Sequence, residues 1–228
     1  MNLARGNPRR HLVLLIALLT LIVFGPLLSV TRHGTLLLNV VGAAVLLTGL
    51  FAVSECKSVF ITGIILSILS IIATFLLIGY PVHAMVIIAH ATMILVLGFF
   101  AVAILDYVVR SGRVTSDKIF AAICAYLLIG YAWAFAYALL DECYPGAFVT
   151  PTEVARNDYV GRVIQMRYFS YITLATVGYG DIVPRTTGAR TMTILEAILG
   201  QFYLVALIGR LVGLHIVHGR DPRPRDED

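Results

Sequence analysis

Charge is what this chain has least of. Only 13% of its 228 residues are Asp, Glu, Lys or Arg, while 59% are apolar. Soluble domains carry about 25% charged residues, so a water-soluble globular class is excluded. Cysteine is also scarce: Cys56, Cys124 and Cys143 stand far apart, without the spacing of a metal site or a disulfide framework. Cys143, in a loop, is either a free thiol or a cross-link to a neighbour. No Cys-His pairing suggests nucleophilic catalysis, and the chain reads as a non-enzyme that needs no cofactor. The net charge is only +4 and the arginines sit at the ends of apolar runs, so no patch for nucleic acid exists. The first apolar run is too long for a signal peptide and no small-x-small cleavage site follows it. What the chain does have is hydrophobic length.

That length is divided into runs near the 20 or so residues that cross a lipid bilayer. After Arg5, Arg9 and Arg10 they are Leu12–Val30, Thr35–Val53, Val59–Ile78 and Ala84–Val109. Arg32-His33-Gly34, Glu55-Cys56-Lys57 and Gly79-Tyr80-Pro81 separate them. A basic connection through Arg110 and Arg113 leads to a fifth run, Ile119–Leu140. Then come a polar stretch (Asp141–Arg162), a half-helix (Val163–Ala175), a glycine-rich hexapeptide, and a sixth run, Arg190–Val217. The expected fold is an all-α membrane protein of six transmembrane helices with one re-entrant helix.

Lysines and arginines orient it. With both termini cytoplasmic, Arg5, Arg9, Arg10, Lys57, Arg110, Arg113, Lys118, Arg220, Arg223 and Arg225 lie inside. Arg32, Arg156, Arg162, Arg167, Arg185 and Arg190 lie outside, a ratio of ten to six with Arg210 left in the sixth run.

The hexapeptide Thr176-Val177-Gly178-Tyr179-Gly180-Asp181 is the centre of the chain. By itself, Gly-x-Gly-Asp is a common turn. Between a half-helix and a final span it resembles the selectivity filter of the potassium channel family. Such a filter replaces the hydration shell of K+ with backbone carbonyls, and glycines allow the conformations that aim them at one axis. The resemblance implies K+ at Thr176, Val177, Gly178 and Tyr179, with Gly180 completing the ribbon. One strand cannot surround an ion, so the implied assembly is a homotetramer.

From about Thr115 onward the chain resembles that family's pore domain: outer helix, pore helix, filter, inner helix. The implied division is a cytoplasmic N-terminus (1–10), a four-helix sensor-like domain (11–113), the pore domain (114–218) and a cytoplasmic tail (219–228). Gly200 stands nineteen residues after Asp181, where the family carries its inner-helix hinge, and Arg190 matches the arginine that opens this helix. Gln201, Leu204, Ile208 and Val212 then form one helical stripe facing the cavity. Gln201 is either a ring of cavity amides or a bond to a neighbouring helix.

Three departures stand out. The family's adjacent tryptophans are Tyr168 and Phe169 here; Phe169 donates no hydrogen bond to support the filter, whereas Tyr168 has the reach for Asp181. Ile172 replaces the glutamate that some members place behind Asp181. The fourth span lacks the repeated arginines of voltage sensors, holding only His83 and His90 besides its terminal charges. Each charge crossing the field supplies about 2.3 kcal/mol per 100 mV, so strong voltage gating is not expected.

Buried polar residues complete the candidates. Glu196 either braces the pore helix, through Thr173 or Arg167, or modulates the filter by its protonation. Arg210 snorkels to the inner surface or pairs with Asp106 or Asp117. His215 is a pH-responsive residue at the inner mouth or an ordinary interfacial histidine; His90 is a bonded core residue. The expectation is a K+-conducting subunit of the plasma membrane, of the bacterial inner-membrane kind. A weakly selective cation channel and a silent, partner-dependent subunit are the alternatives. An intramembrane aspartyl protease shares Gly-x-Gly-Asp, but Asp181 runs at once into a polar segment, away from any second carboxylate.

Overall fold

The computed structural model describes residues 9–29, 34–54, 56–80, 82–110, 115–151 and 158–219; side chains at 29, 34–36, 208 and 211–219 lie outside that description. The helices are α1 (Arg10–Ser29), α2 (Gly34–Ala52), α3 (Lys57–Gly79), α4 (His83–Val109), α5 (Ser116–Cys143), α6 (Tyr159–Leu174) and α7 (Thr187–Gly219). Two short strands, β1 (Phe148–Val149) and β2 (Val183–Pro184), pair antiparallel.

An apolar run in lipid must satisfy its own backbone, which selects helix. The threonines inside these runs obey the same constraint: Thr48, Thr74, Thr92 and Thr193 return their hydroxyls to carbonyls four residues back. Among the described residues, α1, α3, α4, α5 and α7 are long and apolar enough to cross a membrane. The second run is the shorter one, apolar over Leu37–Ala52.

The helices α1, α2, α4 and α5 converge on Leu14, Leu18, Val45, Leu97, Phe100, Ile104 and Leu128, all buried. Polar clamps close both ends of this packing. At one end Asp117 of α5 meets His11 Nδ1 of α1 at 2.8 Å and accepts from the Tyr107 hydroxyl of α4 at 2.9 Å. At the other, Glu142 of α5 accepts from Arg162 of α6 and pairs with His83 of α4, each at 2.6 Å. Both Glu142 and Arg162 are nearly buried, so this bridge is held against that end of the bundle. Asp117 and Asp106 are therefore engaged elsewhere: Asp106 holds Arg110, and Arg210 donates to the Arg110 carbonyl instead of to either carboxylate. His90 is buried in α4, with Nδ1 against the Val86 carbonyl at 2.6 Å.

The polar stretch after α5 has more structure than its composition suggests. The β1–β2 ladder brings it against the segment that follows the hexapeptide, and the Ala147 carbonyl accepts from Arg185 N at 2.7 Å. Phe148 folds inward onto Tyr137 and Phe169 in edge-to-face contacts. The two sides of the candidate site are thus tied together outside the helices.

Candidate functional site: the hexapeptide and its supports

The half-helix begins earlier than its hydrophobicity suggests. Asp158 caps α6, its side chain accepting from Gly161 N at 2.9 Å, so helix starts at Tyr159. Two tyrosines hang α6 and α7 on α5: Tyr171 donates to the Leu127 carbonyl at 2.8 Å, and Tyr203 to the Ala122 carbonyl at 2.6 Å.

At its C-terminal end α6 turns directly into the hexapeptide. Thr176 N donates to the Thr173 carbonyl at 2.9 Å, and the Ile172 carbonyl receives both Val177 N and Gly178 N, at 2.8 and 3.2 Å. Beyond this hinge the backbone alternates. Thr176, Gly178 and Gly180 have φ of +57°, +56° and +78°, while Val177 and Tyr179 between them do not leave the ordinary region. In a normal strand successive groups face opposite sides. Reversing φ at every second residue turns successive carbonyls toward the same side. Glycine adopts this at little cost, but Thr176 adopts it against its Cβ, a strain of about 1–2 kcal/mol. Sequence reasoning anticipated the glycines and missed the threonine, because a positive φ at a β-branched residue has no local sequence signal.

The supporting residues divide into two groups. Tyr168, exposed, shares a hydrogen bond with Asp181, whose Oδ1 also accepts from Ile182 N at 3.0 Å. Phe169 instead turns away from the hexapeptide and packs edge-to-face on Tyr137, with ring centroids 5.1 Å apart. Its contribution to the site is packing behind α6. Thr173 is buried at the end of that helix.

On α7, Gln201 Nε2 donates to the Thr176 hydroxyl at 3.0 Å, so the amide reaches the first residue of the hexapeptide. Leu204 is partly exposed on the same helix; the side chains of Ile208, Val212 and His215 lie outside the described residues. Gly200 touches the pore-helix end: a Cβ there would overlap the Leu174 carbonyl oxygen. Glu196 is fully buried, and its partners are not Thr173 or Arg167. It accepts from the Tyr137 hydroxyl at 2.6 Å and meets Ser170 Oγ at 2.5 Å, because Ser170, one turn before Thr173, is the residue α6 presents to it.

Among the described residues, one flank of this assembly has no cover. Val177 and Tyr179 are 51% and 72% exposed, and Phe202 and Val205 of α7 are 71% and 67% exposed. Apolar side chains beside an ordered carbonyl ribbon, together with a long, thinly covered helix, define an ion-channel pore domain presented by a single subunit.

Comparison with known proteins agrees. A family described as "Ion channel" matches residues 122–214, from α5 through the hexapeptide into α7. The potassium channel protein kcv of Paramecium bursaria Chlorella virus 1 is 35% identical over 71 residues, covering 31% of this chain and 76% of that protein. The two-pore potassium channel 4 of Arabidopsis thaliana is 47% identical over 45 residues, 20% of this chain and 16% of that protein. The inward rectifier potassium channel Kirbac3.1 of Paramagnetospirillum magnetotacticum is 28% identical over 88 residues, 39% of this chain and 28% of that protein. No solved structure matches. The chain is an all-α membrane protein and belongs to the potassium channel family.

Proposed function

We propose that four copies of this chain close around one axis to form a potassium-selective pore through which K+ moves passively, in single file, across the plasma membrane. The carbonyls of Thr176, Val177, Gly178 and Tyr179 coordinate the ion, with Gly180 turning the ribbon outward to Asp181. The observation that carries this reading is the alternation of φ through Thr176, Gly178 and Gly180 directly after α6. An ion needs oxygens on all sides, and one ribbon supplies one side. The exposed Val177, Tyr179, Phe202 and Val205 supply a surface for the neighbouring copies.

Six spans per subunit divide into the four-helix domain (11–113) and the pore domain (114–218), flanked by the cytoplasmic segments 1–10 and 219–228. No lysine or arginine occurs from His83 to Val109, and His90 is held in the core. Steep voltage gating has no carrier in α4. The task is conduction rather than catalysis.

Purified protein in liposomes tests the reading. A potassium gradient is expected to drive flux, and a sodium gradient to drive far less. Equal fluxes would mean a non-selective cation pore; no flux at any voltage or pH would point to a subunit that works only with partners. Orientation has its own check, since Cys56 and Cys143 are exposed at opposite ends while Cys124 is buried. In intact cells of a bacterial host, a membrane-impermeant maleimide is expected to label Cys143 and to reach Cys56 only after permeabilisation. Labelling of Cys56 alone would invert the topology.

A further inference from the structure

We propose that Glu196 is a neutral carboxylic acid at physiological pH, and that its proton completes a hydrogen-bonded latch holding the outer, pore and inner helices together behind the hexapeptide. The consequence for conduction rests on the channel reading above; the protonation state does not.

The argument is a count of protons. Three short oxygen–oxygen contacts meet at this point: Tyr137 hydroxyl to Glu196 Oε2 at 2.6 Å, Ser170 Oγ to Glu196 Oε1 at 2.5 Å, and Ser170 Oγ to the Gly130 carbonyl at 2.7 Å. Each contact needs one hydrogen. Tyr137 supplies one, a serine hydroxyl carries only one, and a backbone carbonyl can only accept. If Glu196 were a carboxylate, Ser170 would have to choose between it and Gly130. One pair of oxygens would then face each other at hydrogen-bond distance with no hydrogen between them. With the proton on Glu196 the set closes. Glu196 Oε1–H donates to Ser170, Ser170 donates to Gly130, and Tyr137 donates to Oε2.

The surroundings agree with the count. Glu196 is 0% exposed in a membrane-spanning helix, where a lone carboxylate is costly. Among the described residues no arginine, lysine or histidine bonds to it. The titratable groups that face it are Tyr126 and Tyr137 from α5 and Tyr171 from α6, all without positive charge. On its own helix, Thr193 lies beside Tyr137. The latch joins α5 through Tyr137 and Gly130, α6 through Ser170, and α7 through Glu196. It therefore sets where α6 stands relative to α7. Ser170 lies one turn before Thr173 and Leu174, from which the hexapeptide departs, so Glu196 is a positioning residue for the filter.

The full-length protein in lipid vesicles decides the matter, by infrared spectroscopy and flux. At neutral pH the wild type is expected to show a protonated-carboxyl carbonyl stretch that Glu196→Gln removes. A glutamine can donate to Ser170 and accept from Tyr137 as the acid does, so Glu196→Gln is expected to keep wild-type flux within about twofold. Glu196→Ala removes the donor to Ser170 and leaves the Tyr137 hydroxyl without its acceptor, and is expected to lower flux about tenfold or more. Absence of the carboxyl band, or a Glu196→Gln variant as impaired as Glu196→Ala, would overturn the proposal. Should the wild type conduct nothing, the channel reading falls while the infrared comparison still reports on the proton.

Discussion

Gly178→Asp is expected to abolish potassium flux, by more than a hundredfold, while leaving the subunit folded and its oligomer intact on size-exclusion chromatography. Gly178 has φ of +56°, a region that costs an ordinary residue about 1–2 kcal/mol. Aspartate tolerates it better than most, so about 1 kcal/mol per subunit is a fair figure. In the proposed ring of four the strain adds to about 4 kcal/mol, roughly a thousandfold on the conducting geometry before any effect of charge. Within the single chain a Cβ at Gly178 meets no atom within 4 Å, so the subunit itself has no reason to unfold. The penalty falls on the backbone geometry of the ribbon. Potassium flux within tenfold of wild type would contradict both the ring and the role of this glycine.

Gly200→Ala has a sign that separates two accounts of that residue. If Gly200 serves only as a hinge, alanine should stabilise the helix by about 1 kcal/mol, because glycine is the poorer helix former. The structure argues for the opposite. The new Cβ would overlap the Leu174 carbonyl oxygen and lie 3.0 Å from its carbonyl carbon, both backbone atoms at the end of α6. Neither can swing aside as a side chain would. Forcing α7 away from α6 costs about 1–3 kcal/mol by the usual measure of overpacking, and more where backbone must shift. The expected result is a melting temperature lower by about 2–8 °C, together with reduced potassium flux. Gly209→Ala is the control, since a Cβ there meets nothing within 4 Å and the substitution should be neutral or stabilising. A Gly200→Ala variant as stable as this control would return Gly200 to the role of hinge alone.

These two glycines also show how differently sequence speaks about neighbouring parts of one site. Gly178 is legible because a run of six residues carries its own geometry: the alternation of small and bulky residues is local, and so is the backbone it encodes. The spans are legible for a similar reason, since lipid imposes helix on any long apolar run, and the helix ends fell within a few residues of the breaks. The cap at Asp158 and the β1–β2 pairing were less visible, as each depends on a partner within a polar stretch that composition alone leaves featureless.

What the sequence by itself determined is the membrane class, the order of the helices and the position of the hexapeptide proposed to bind the ion, all of which follow from composition and from interactions a few residues apart. What only the tertiary structure decided is how that hexapeptide is supported. Glu196 meets Ser170 and Tyr137 across 26 and 59 residues, and Gln201 meets Thr176 across 25. Phe169 turns to Tyr137, and Arg210 to the Arg110 carbonyl rather than to an acid. A buried polar group must find a partner, and sequence announces that need at Glu196. Which partner it finds depends on how helices far apart in the chain are rotated against one another, and that is settled only when they pack.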